Sequence, residues 1–294
     1  MKKILIIIGY ALAFLVLFRL FLTFGFPNEA LCNFIESQVK SQTGITVKIE
    51  KARLSYLDLG VNLYDVKFLR FSDDQGLLLL KLDKVSAGLP LIPTLLRQKA
   101  VDFYSDTYDG TIKGQARLEA NQTTVKADVV GIDLTQFKLL KDLAGINLGG
   151  RLHGTVELSL DPKSLAQSSG SADMQILAGF IDKSTIFGIE LPKADFSKTG
   201  DVAIIKLSTK KGTLSFEDVR FKGSDMELQL RGNIRLGESM DESRSNCNIR
   251  LGLQPQYKQQ LSPVIIALLG NPEQTQFAFN LTGKLSEIEF EPTF

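Results

Sequence analysis

The chain has one histidine, two cysteines and no tryptophan in 294 residues. With only His153, Cys32 and Cys247 available, a histidine triad, a thiolate zinc site and a disulfide framework are all excluded. Charge of one sign is missing too: 34 Lys plus Arg stand against 33 Asp plus Glu, for a net charge of +1. No broad basic field of the kind a nucleic-acid backbone rewards is present, so nucleic acid is not an expected partner. The phosphate-loop, nucleophile-elbow and dinucleotide Gly-x-Gly-x-x-Gly patterns are absent, and no cofactor is expected. No low-complexity stretch or fixed-period repeat interrupts the chain. What is present is 44% hydrophobic, 9% aromatic and 23% charged composition, enough for one large or two ordinary folded domains.

The longest apolar run lies at the start. Lys2 and Lys3 precede a stretch that opens at Ile4 and reaches Phe18, is crossed by Arg19, and continues to Phe26 before Pro27. At 1.5 Å per residue it extends roughly 34 Å, sufficient for a hydrocarbon core of about 30 Å. Its far end lacks the small-x-small site of a cleaved signal, so residues 1–26 read as an uncleaved transmembrane anchor. Lys2, Lys3 and the terminal amine on one side, against Lys40 beyond the span, place residues 27–294 outside the cytosol. Arg19 lies in the last third, where it snorkels toward headgroups.

Beyond the anchor, Leu31, Phe34, Ile35 and Val39 repeat at helical spacing, predicting an amphipathic helix over 28–43 with Asn28 as cap and Gly44 as stop. The period then falls to two. Met226, Leu228, Leu230, Ile234 and Leu236 alternate with polar residues, with Gly232 on the apolar side. Similar rows are Leu148, Leu152, Val156, Leu158 and Leu160; Ala172, Met174, Ile176 and Ala178; Ile249, Leu251 and Leu253; and Phe277, Phe279 and Leu281. Ile112, Ala116 and Leu118, and Val125, Ala127 and Val129, follow the same rule. Such rows define half-exposed antiparallel strands joined by hairpins. Three further short helices are expected, over 91–98, 133–143 behind an Asp133 cap, and 256–269 divided by Pro263. A weak division of the body is expected near 164–171.

These patterns predict a mostly β protein: an N-terminal transmembrane helix, then a large curved antiparallel sheet with a few short helices. Many strands share one apolar face, and the helices are too few to hide it. Two fates remain open for that face, a closed core or a lipid-accommodating concavity. Its candidate lining is Leu152, Val156, Leu158, Met174, Ile176, Leu228, Leu230, Ile234, Ile249, Leu251, Phe277 and Phe279.

Two Ser-x-x-Lys matches, Ser37 to Lys40 and Ser208 to Lys211, accompany a Lys198-Thr199-Gly200 triplet. Their order and their surface or turn setting oppose serine-hydrolase chemistry. His153 faces away from its apolar row and reads as a solvated strand residue. Asp106 to Gly110 lacks the alternating carboxylates of a calcium loop and reads as a turn. No catalytic or metal site is expected.

The succession of anchor, amphipathic helix and Gln42-Thr43-Gly44-Ile45-Thr46-Val47 resembles the start of AsmA-like periplasmic proteins. Tyr108-Asp109-Gly110-Thr111-Ile112-Lys113-Gly114, Gly149-Gly150-Arg151-Leu152-His153-Gly154-Thr155-Val156 and Leu281-Thr282-Gly283-Lys284-Leu285 resemble the type II secretion system protein N family. This resemblance implies a non-enzymatic, inner-membrane-anchored periplasmic component of a Gram-negative secretion apparatus, partnered by the membrane and other secretion components. The AsmA-like side of it implies an alternative, lipid binding or transfer through an apolar groove.

Overall fold

The computed structural model describes residues 28–43, 45–55, 60–72, 75–90, 99–119, 122–161, 168–186, 189–197, 202–237, 242–268, 274–284 and 287–292. Residues 1–27, with the expected anchor, and the expected helix over 91–98 lie outside these. Among the described residues, no helix is long and apolar enough to cross a membrane.

Helix α1 (Asn28–Thr43) leads into β1 (Thr46–Ser55), β2 (Gly60–Ser72), β3 (Gln75–Gly88), β4 (Lys99–Thr107), β5 (Gly110–Leu118) and β6 (Thr123–Asp133). A 3-10 turn (Leu134–Gln136) and α2 (Leu139–Ala144) precede β7 (Leu148–Leu160) and β8 (Ser169–Ile181). An excursion through β9 (Ser184–Ile186), β10 (Ile189–Leu191) and β11 (Ala194–Asp195) returns to β12 (Ala203–Lys210). Then come β13 (Thr213–Lys222), β14 (Met226–Arg235), β15 (Arg244–Leu253), α3 (Pro255–Lys258), α4 (Pro263–Leu268), β16 (Gln276–Lys284) and β17 (Glu287–Pro292).

The strands form one antiparallel meander in which each pairs with its successor from β1 to β8 and from β12 to β17, with β8 beside β12. Short-range turn chemistry accounts for this order. Tyr108 and Asp109, at φ 46° and 57°, and Lys211 and Gly212, at φ 49° and 70°, supply the paired left-handed residues of two-residue hairpins. The bodies flanking 162–167 are joined directly, since Leu158 pairs with Gly170 across β7 and β8.

Helix α1 has the expected bounds, but its buried face differs. Leu31, Ile35 and Val39 pack on β1–β3 around a buried Cys32, whereas Phe34 is 61% exposed. At 100° per residue Phe34 sits about 110° from the middle of that face. Glu36 fastens the helix by accepting the Ile49 amide at 2.7 Å.

The segment after Asp133 is not one helix. Asp133 does cap, accepting the Thr135 amide at 2.9 Å. Phe137 then leaves helical geometry and sets its ring edge-on against Tyr108, 5.8 Å between centroids. The segment after Gln254 divides at Pro263 as its sequence requires.

Ala178 does not continue the inward row of β8. It is exposed at φ 49°, where the register with β7 shifts between Gly149 and Arg151. Gly179 takes the buried place instead, under the Phe196 ring.

Candidate functional site

Antiparallel register turns separate alternating rows into continuous ones. Leu54 pairs with Val61, Val61 with Ala87, Ala87 with Phe103, Phe103 with Gly114 and Gly114 with Ala127. The same line continues through Val156, Ala172, Leu207 and Phe216. It ends through Gly232, Cys247, Leu281 and Phe290. Every member is apolar or glycine. Neighbouring strands lie about 4.8 Å apart, so this row runs on the order of 60 Å along the sheet.

A second row beside it passes through Val129, Gly154, Met174, Ile205, Val219, Leu230, Ile249 and Phe279. Ser105 is its polar exception. That side chain is 4% exposed, and its Oγ finds no hydrogen-bond partner among the described residues.

The two sides of the apolar face are treated differently. On one side it is covered: α1 lies over Val47, Ile49, Val66 and Leu82, and Leu134 and Phe196 lie over Ile176 and Ala203. Tyr257 and Leu261, with Ile265 and Ile266, pack around Leu253 and Phe277. The Tyr257 hydroxyl donates to Pro192 O at 3.1 Å, tying this cover to the β9–β11 excursion. On the other side, at or near the strand ends, Leu118, Leu158 and Leu236 are 46%, 37% and 36% exposed.

Between these sides the long row stays half-buried. Among its described side chains only Cys247 is buried. A sheet sealed by a second layer would bury such a row throughout.

The sequence-predicted lining residues divide accordingly. Ile176 and Phe277 belong to the covered side at 3% and 6% exposure. Leu152, Val156, Met174, Leu228, Leu230, Ile234, Ile249, Leu251 and Phe279 are half-buried, and Leu158 is exposed. The structure brings all twelve onto one face.

The lining supplied by β1–β4 and β12–β13 escaped the sequence reading. In β1 to β3 the inward residues slip phase together, from Ile49 to Ala52, Val66 to Leu63 and Leu82 to Val85, beside Asp65 at φ 50°. Three-residue spacing hides such strands from a period-two test.

The opposite face is polar and carries matched charges as far as β12. Lys126 meets Glu157 at 2.7 Å, Lys206 meets Asp173 at 2.9 Å, and Lys113 lies over the Tyr104 ring at 5.6 Å. His153 stands on this face opposite Gln175. Ser37 and Lys40 are exposed on α1, where the Ser37 hydroxyl donates to Phe34 O. Ser208 lies in β12, Lys211 lies in the following turn, and residues 198–200 fall outside the described ones.

Cys32 and Cys247 are free thiols on α1 and β15, at opposite ends of the meander. Burial raises the Cys32 thiol pKa above its ordinary value, which suppresses the reactive thiolate. Among the described residues, no cluster of three or more metal-ligating side chains occurs. No protein-family model, curated protein or solved structure matches the chain.

Proposed function

We propose that this chain is an AsmA-like lipid-handling protein, anchored by residues 1–26 in an inner membrane, whose curved sheet faces the periplasm and receives acyl chains on its apolar face. The observation that supports this reading is the uninterrupted apolar row from Leu54 to Phe290, whose described side chains are half-buried except for Cys247. Apolar surface of that extent normally marks an interaction site in a soluble body. The tails of one leaflet occupy about half of a 30 Å hydrocarbon core, so a 60 Å row accommodates several lipids in line.

Thr155 and Val156 give the test. They are chain neighbours on opposite faces, Thr155 exposed and Val156 in the apolar row. In the full-length protein in its native membrane, a photo-reactive benzoylphenylalanine at Val156 is expected to capture phospholipid, and the same group at Thr155 is not. Equal capture at both positions, or none at either, sinks the reading.

A second reading is a non-enzymatic scaffold of a type II secretion apparatus, as the resemblance to protein N implies. It is favoured by β1 and β17, each of which pairs on one side only among the described residues. Open edges of this kind recruit strands from partners. Under this reading, Glu289→Pro disrupts assembly with secretion components and leaves lipid capture unchanged.

A further inference from the structure

Arg235, Arg244 and Lys284 are direct cross-strand neighbours on β14, β15 and β16. All three are exposed, and none makes a side-chain hydrogen bond or ion pair with a described residue. Like charges placed directly opposite destabilise a sheet, and elsewhere on this face cations oppose anions, as Lys126 opposes Glu157 and Lys206 opposes Asp173. In the backbone register Glu287 stands opposite Lys284 at one end of the row, and Glu242 precedes Arg244 by two residues.

The position of the row matters as much as its charge. Arg235 follows Ile234, Arg244 precedes Ser245 and Lys284 follows Gly283, and those three neighbours pair with one another on the apolar face. The cations therefore border the less covered side of that face, beside the exposed Leu236. Lys210 and Lys211 extend the positive charge to β12 and its turn. Cross-strand Cα spacings of about 5 Å put two guanidinium groups and an ammonium within reach of one phosphodiester.

We infer that Arg235, Arg244 and Lys284 bind the phosphate headgroup of an anionic phospholipid whose acyl chains lie around the rim on the apolar face. The headgroup supplies a counter-charge to three cations that make no ion pair with a described residue. The acyl-chain part of this inference rests on the proposed function, whereas the headgroup part rests on the cationic row alone.

Native mass spectrometry of the full-length chain in a neutral detergent tests it, with phosphatidylglycerol, phosphatidylcholine and inorganic phosphate as probes. Phosphatidylglycerol is expected to bind about tenfold more tightly than phosphatidylcholine, the effect of one charge-assisted contact. The triple variant R235Q/R244Q/K284Q should lose that preference while binding phosphatidylcholine as before. Its exposed substitutions relieve the like-charge repulsion and should not lower the unfolding midpoint. Salt near 1 M, where the screening length is about 3 Å, should erase the same preference in the unsubstituted chain.

Equal binding of the two lipids by the unsubstituted chain, or a preference that survives the triple substitution, overturns the headgroup site and leaves the acyl-chain reading intact. Inorganic phosphate binding as tightly as phosphatidylglycerol also overturns it, since the row is then an adventitious anion site. Row-dependent phosphatidylglycerol binding that is indifferent to Val156→Glu and Leu207→Glu keeps the headgroup site and sinks the acyl-chain reading. Binding of neither lipid sinks both.

Discussion

The Phe103 ring lies over Gly114, its direct partner across β4 and β5, so closely that a Cβ on Gly114 would stand 2.4 Å from Phe103 Cζ and 2.3 Å from Lys126 O. Aromatic cover of a strand glycine protects its backbone and fills the place of the missing side chain. Gly114→Ala must displace both the ring and the β6 backbone. A loss of about 1–3 kcal/mol is expected in urea unfolding, as for other overpacked sites. The double variant Gly114→Ala with Phe103→Leu should recover part of it, and strictly additive losses would refute the contact.

Tyr108 closes the gap where β3 leaves β4. The two strands pair only from Lys84 to Gly88. Beyond that, the Tyr108 hydroxyl accepts the Lys81 amide at 3.0 Å, and the Thr107 hydroxyl donates to Lys81 O at 2.5 Å. Tyr108→Phe keeps the ring against Phe137 but strands a part-buried amide. It should cost about 1 kcal/mol, read as a lower urea midpoint at constant slope. No shift in midpoint would mean that the amide is satisfied some other way.

Much of this sheet was legible because its strands keep one polar face. Met226 to Ile234 and Phe277 to Leu281 alternate strictly, and hairpin residues such as Tyr108-Asp109 and Lys211-Gly212 mark where each strand turns back. Alternation reports a strand, not its register, and register is what joins Val156 to Ala172 and Gly232 to Cys247. The cationic row was invisible for the same reason. Arg235, Arg244 and Lys284 are far apart in the chain and become neighbours only through pairing. A cation closing successive alternating segments was the available signal. Phe34 and Ala178 misled for local reasons, a helix face judged too broadly and a bulge that reverses inside and outside.

Ser105 interrupts the apolar row between Val85 and Ile112 with a buried hydroxyl that meets no described partner. Removing such a group relieves a desolvation penalty without breaking a bond. Ser105→Ala is therefore expected to raise stability by about 1 kcal/mol. A destabilised variant would reveal a bond that the hydroxyl makes in solution.

Asp133 holds the cover formed by Leu134 in place through the Thr135 hydroxyl and amide, at 2.7 and 2.9 Å. The Thr135 hydrogen bonds, assisted by Arg151, hold its carboxyl below the usual carboxylate range against the opposing effect of burial. A depressed folded pKa stabilises the protein above the unfolded value near 4 and ceases to do so as pH falls through the lower folded value. Asp133→Asn should flatten the acid limb of the stability profile, and Asp133→Ala should cost about 0.5–1 kcal/mol near neutral pH. Urea midpoints collected from about pH 6 to pH 2 give both. An acid limb identical in Asp133→Asn and the unsubstituted chain excludes this linkage.

Ile176 and Leu158 share the apolar face but not its fate, and the difference separates folding from ligand binding. Ile176 is 3% exposed beneath Leu134 and Phe196, so Ile176→Ala opens a cavity on the covered side. It should cost about 2–5 kcal/mol, in the range of other large-to-small core substitutions. Leu158 is 37% exposed opposite Gly170 on the other side. Leu158→Asn leaves no enclosed cavity and should cost clearly less than Ile176→Ala, on the order of 1 kcal/mol. If acyl chains lie on the half-buried rows, lipid retention should show the reverse order, falling with Leu158→Asn and persisting in whatever Ile176→Ala protein remains folded. Retention that simply follows stability in both variants would place the lipid elsewhere, because a face used only as a core has no residue whose loss weakens binding and spares the fold.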